Sequence, residues 1–216
     1  MRPFLARSAP RRGTRGPRLG TPGAGARRKR TSCASTKRLL AIVASEGNSL
    51  VRRAALRALA ATGQAALVER LVPQLAEPGT APAVLEALAS IGGEGAEKAL
   101  LSRARPDDPL LGQALAALAR IASPLSIEPL VDLLGRVPEF AAGSIVLALD
   151  RIGAPAVDAL VEALSDETKR HPAILALGRI GDARAVGPLM QHYDFSEEVE
   201  RAIRRIGPEA IEPLLR

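Results

Sequence analysis

Apolar positions along this 216-residue chain recur with the period of an α-helix. Ile127, Leu130, Val131 and Leu134 fall at i, i+3, i+4 and i+7, and Val157, Leu160, Val161 and Leu164 repeat that spacing. Leu39, Leu40, Ile42 and Val43 form a stripe nearer the N-terminus, with Ser35 or Thr36 placed to cap its helix. The pattern predicts this opening helix and then six helix pairs. The pairs are Leu50–Thr62 with Ala65–Leu75, Pro82–Ile91 with Gly95–Ala104, and Leu110–Ile121 with Ser126–Gly135. Glu139–Ile152 with Pro155–Leu164, Pro172–Ile180 with Ala185–Tyr193, and Ser196–Ile206 with Pro208–Leu215 follow.

The pairs are copies of one another. Each first helix ends on an Ala-Leu pair, two variable residues, an Ile and a Gly, as in Ala176-Leu177…Ile180-Gly181. The apolar residue after each Ala lies at 59, 88, 118, 149, 177 and 203, in steps of 29, 30, 31, 28 and 26. Self-similarity at such a period marks a repeat architecture. Gly63, Gly92, Gly153, Gly181 and Gly207 close the first helices, where a left-handed C-terminal residue is needed. The third copy has Ala122 there. A second signature follows, as in Ala185-Val186-Gly187-Pro188-Leu189 and Ser126-Ile127-Glu128-Pro129-Leu130. Its Pro sits in the first turn of the second helix, where no helical hydrogen bond is lost. Ala96-Glu97-Lys98-Ala99-Leu100 is a weaker copy.

This pattern resembles the HEAT-like repeats of the phycobilisome-lyase type over about residues 50 to 216. The resemblance implies an all-α, right-handed α-solenoid whose second helices line a concave surface. It leaves function open, because the family includes scaffolds, chromophore lyases, a metal-dependent hydroxylase and nucleic-acid-binding relatives.

The charge is unevenly placed. Residues 1–38 carry 12 Lys/Arg and no acid; residues 39–216 carry 18 Lys/Arg against 23 Asp/Glu, a formal charge of −5. Residues 1–35 are rich in Arg, Pro and Gly, which predicts a disordered tail ahead of a solenoid at 36–216. As an arm, the tail suits polyanions such as nucleic acid. Its composition also fits an organellar transit peptide, and the 26 Arg to 4 Lys of the chain fits an over-extended start in a GC-rich genome. A secretory signal fits poorly, since the longest early apolar run is Phe4-Leu5-Ala6. No run of 18 apolar residues predicts a membrane span. Cys33 is the only cysteine, so no internal disulfide or multi-cysteine metal site can form, and a cytoplasmic location is the expectation.

Little here suggests catalysis. His171 and His192 are the only histidines and neither precedes a Glu, so the iron-binding His-Glu motifs of the hydroxylase branch are missing. No catalytic residue, cofactor or metal is assigned. Two polar columns remain. Arg120, Arg151, Arg179 and Arg205 each precede the Ile of their repeat and suit a helix C-terminus, with Asp150 or Asp182 as partners; a basic stripe for nucleic acid is the alternative. Glu128, Asp132, Asp158 and Glu162 lie opposite the apolar stripes of two second helices. They are the candidate surface for a partner protein with a basic segment, which could be the chain's own tail. The expectation is a non-catalytic scaffold or adaptor, with a phycobilin-lyase-like subunit or nucleic-acid binding as alternatives.

Overall fold

The computed structural model describes residues 24–45, 47–192 and 196–210. Every regular element among them is helical. The chain divides into two units, Met1–Lys37 and Arg38–Arg216, joined through one helix, α1 (Ala24–Ser45). Six first helices follow: α2 (Ser49–Ala60), α4 (Ala81–Ile91), α6 (Leu111–Ile121), α8 (Glu139–Ile152), α10 (Glu167–Ile180) and α12 (Ser196–Ile206). Between them lie shorter second helices: α3 (Val68–Leu71), α5 (Gly93–Leu101), α7 (Ile127–Leu134), α9 (Val157–Ala163) and α11 (Val186–Met190). Each first helix packs on the next, and the second helices form a parallel layer behind them. Within residues 38–216 this is a helical repeat solenoid.

The repeat signature builds the core. Leu59, Leu88, Leu118, Leu149 and Leu177 are at most 1% exposed, and Leu71, Leu100, Leu130, Leu160 and Leu189 of the second helices are fully buried. Each such leucine contributes on the order of 1.5–3 kcal/mol. The signature alanine faces the preceding first helix. Ala87, Ala117, Ala148, Ala176 and Ala202 are buried, whereas Ala58, whose helix opens the row, is exposed. The approach is closest between α10 and α12, where a Cβ on Gly178 would lie 2.7 Å from the Ala202 Cα.

Gly63, Gly92, Gly153, Gly181 and Gly207 all have positive φ, as the sequence requires. Ala122 takes the left-handed conformation that Gly181 also adopts, at φ 50°, which costs a residue with a Cβ about 1–2 kcal/mol.

Three boundaries differ from the sequence reading. The opening helix runs Ala24–Ser45, so its start lies ahead of Ser35 and Thr36. After Pro22-Gly23 no proline interrupts, and Ala, Arg and Lys are good helix formers. Residues 1–23 lie outside the described residues. Helix α10 begins at Glu167, five residues before Pro172, because the Asp166 side chain caps the Thr168 amide. Second helices also enter through a short 3-10 turn, as at Pro124–Ser126, Ala154–Ala156 and Ala183–Ala185, and are shorter than expected. The end of the last pair, from residue 211, lies outside the described residues.

One core position departs from the repeat. Glu97 occupies the slot held elsewhere by Ile127, Val157 and Val186, yet is 2% exposed. It accepts a hydrogen bond from the hydroxyl of Ser126, itself in the slot held by Ala156 and Ala185 in later copies. The two exceptions answer one another across adjacent repeats.

Two stability measurements test these points. Ala122→Gly should raise stability by about 1 kcal/mol, or a melting temperature higher by about 2–4 °C. Ser126→Ala should lose about 1–3 kcal/mol in urea unfolding by leaving a buried carboxyl unpaired, and adding Glu97→Val should recover that loss.

Candidate functional site

Glu128 and Asp132 lie one turn apart on α7, and Asp158 and Glu162 repeat the arrangement on α9. Residues i and i+4 share a helix face, and all four side chains are exposed while Leu130, Leu134, Leu160 and Leu164 are buried. The structure thus brings the acidic column together on neighbouring second helices.

It also supplies cations that sequence reading missed. Lys169 Nζ lies 3.3 Å from Asp132 and 3.9 Å from Asp166. Arg184 Nη1 lies 3.3 Å from Asp158, while its Nη2 lies 2.9 Å from Asp182 and donates to the Ala154 carbonyl at 3.0 Å. Two cations are shared among four carboxylates, and Glu128 and Glu162 have no ion pair among the described residues. The column is therefore partly neutralised at Asp132 and Asp158 and uncompensated at Glu128 and Glu162.

The pairing shows in the protonation equilibria. The Arg184 side chain, followed by its amide, holds the Asp182 carboxyl below the usual carboxylate range. Asp182 in turn raises the Arg184 guanidinium. The Thr168 hydroxyl and amide similarly lower Asp166 at the start of α10.

The arginine column divides into different roles. Arg179 makes a two-pronged contact with Asp150 of the previous repeat, at 3.1 Å through Nε and 2.9 Å through Nη2. Arg120 donates to the Ser90 hydroxyl one repeat back at 3.1 Å. These are bonds between stacked repeats. Asp182 pairs with Arg184 rather than with a column arginine. Arg151 and Arg205 are exposed and have no acid partner among the described residues.

On the first-helix layer a cavity of about 540 Å³ lies along α8 and α10. His171 and Glu139 both line it, but no hydrogen bond joins them. His171 sits inside α10 rather than at its start, and His192 follows α11. Among the described residues no three His, Cys, Asp or Glu side chains gather where they could hold a metal ion. No helix among them is long and apolar enough to cross a membrane.

Residues 169–195, from α10 to just beyond α11, match the model of the PBS lyase HEAT-like repeat. This segment is a HEAT-like repeat. The matched segment is the copy in which Ala-Leu, Ile-Gly and the Pro-Leu signature are all complete. No curated protein matches this chain. Among solved structures, the crystal structure of an engineered protein from the Northeast Structural Genomics Consortium aligns at 22% identity over 81% of this chain and 97% of its own. Its TM-score is 0.43, below the level at which a shared fold follows.

The depressed carboxylates set the acid limb of stability. A folded-state pKa below the unfolded value contributes stability that is complete above the ordinary carboxylate range, near pH 4, and lost as pH falls through the lower folded value. Arg184→Ala should raise the Asp182 pKa toward its usual value and start acid unfolding at higher pH. Carboxyl NMR titration with circular dichroism between pH 2 and 6 reads both.

Proposed function

We propose that this HEAT-like repeat protein is a non-catalytic scaffold that holds a basic segment of another protein against the second-helix layer, on Glu128, Asp132, Asp158 and Glu162. The observation that carries the reading is the alignment of four exposed carboxylates on α7 and α9, with Glu128 and Glu162 uncompensated. A rigid row of helices fixes the spacing of such charges, so a partner recognises them without an ordering cost on the scaffold side. By the family resemblance, this layer lines the concave surface. Lys169 and Arg184 hold Asp132 and Asp158 in place and set the balance between attraction and self-neutralisation.

The test uses the full chain and a fluorescein-labelled Arg/Lys-rich decapeptide, followed by anisotropy. Glu128→Lys with Glu162→Lys should weaken binding about tenfold or more, and wild-type binding should fall as salt rises from 50 to 300 mM. Unchanged affinity in the double variant overturns the reading. The peptide of residues 1–23 of this chain, used as a competitor, shows whether the chain's own arm takes the same place.

A further inference from the structure

A groove runs along α8 and α10 and reaches the end of α7, and none of Glu128, Asp132, Asp158 and Glu162 lines it. Its floor is apolar: Leu134 and Val137 at the end of α7, Val146 of α8 and Leu175 of α10. It exists because α8 presents Ala142 and Gly143 where larger side chains would fill the space. A Cβ on Gly143 would meet nothing within 4 Å.

The ends of this groove differ in charge. Glu139 lines one end, and Arg179 and Arg205 line the other, where the depression continues past Gly178 and Asp150. From Glu139 to Asp150 is three turns of α8, roughly 16 Å. Arg179 is already committed to Asp150. On α12, Arg201 pairs with Glu197 at 3.7 Å and Arg204 pairs with Glu200 at 2.5 Å, one turn back in each case. Arg205 alone of these three has no acid among the described residues, and it lines the groove and both neighbouring depressions. Arg205 thus makes no ion pair among the described residues, although Asp150 and Glu198 line the depressions beside it.

The surroundings say what kind of molecule brings it. Phe140 is 81% exposed and Leu147 is 41% exposed, seven residues apart on α8 and therefore on one side of it. Exposed aromatics beside an apolar cleft mark contact with a large surface. A small ligand is enclosed over most of its area by its site, whereas here the exposed Phe140 and Leu147 lie outside the lining of the cleft.

We infer that the α8–α10 groove docks an apolar segment of a partner protein that carries a carboxylate at the Arg205 end. The partner's aliphatic side chains fill the space above Val146 and Leu175, its backbone passes Phe140 and Leu147, and its acid pairs with Arg205. The groove is lined by none of Glu128, Asp132, Asp158 and Glu162, so the test of one reading is separable from the test of the other.

Two labelled probe peptides decide it: acetyl-Leu-Leu-Ala-Leu-Leu-Glu-Glu, and the same peptide with Lys in place of both Glu. Titrated into the full chain, the acidic peptide should bind at least fivefold tighter and shift the Gly143 and Gly178 amide resonances. Arg205→Ala should erase the difference between the peptides. Gly143→Leu, whose Cβ meets no neighbour, should remove binding of the acidic peptide while circular dichroism stays unchanged. The Glu128→Lys, Glu162→Lys variant should bind the acidic peptide no more weakly than wild type. Equal affinity for the two peptides, or no shift at Gly143 and Gly178, overturns the inference. So does decanoate binding there more tightly than the acidic peptide, which would assign the groove to a small amphipathic acid.

Discussion

Close contact between neighbouring first helices is the constraint on which this architecture rests. At Gly178 and Ala202 the α10 and α12 backbones come so near that a single added carbon would collide. The signature alanine is buried in the second to sixth copies, and the adjoining leucine of the first five fills the interior. Burial of both leucine columns is nearly complete through the first five repeats. Polar groups in equivalent positions are then held one repeat apart, which is how an acidic column and a run of arginines arise without any dedicated loop.

That regularity explains what the sequence made legible. Helix pairing, the glycine turns and the exposed side of α7 and α9 all follow from a local pattern that recurs, so each copy corroborates the others. Glu128, Asp132, Asp158 and Glu162 could be placed on one surface from spacing alone. Their partners could not. Lys169 reaches Asp132 across 37 residues and Arg184 reaches Asp158 across 26, and neither occupies a repeating slot. The length of α10 was hidden for a different reason. Pro172 looked like a helix start, but the cap at Asp166 supports a turn ahead of it. The groove beside α8 depends on Ala142, Gly143 and the loop that follows α7, which a one-dimensional pattern does not distinguish from ordinary small residues.

The two layers divide the chemistry. The second helices carry uncompensated negative charge, while the arginine column of the first helices makes cross-repeat bonds through Arg120 and Arg179 and leaves Arg151 and Arg205 without an acid partner among the described residues. The same slot in the repeat therefore serves stacking in some copies and is left available in others. Variation of this kind lets a monotonous scaffold acquire a distinct address along its length.

The Glu97–Ser126 pair has a consequence for how the repeats find their order. Units built on one rule are nearly interchangeable, so a folding chain can stack the wrong two together, and recombination can delete a unit and leave a plausible shorter protein. A carboxyl that meets a hydroxyl in only one juxtaposition removes that freedom at the second and third units. Against the alanine of any later copy the acid would be buried with nothing to bond it. This junction works as a key, marking a fixed point in a sequence of otherwise equivalent parts from which the remaining units are counted.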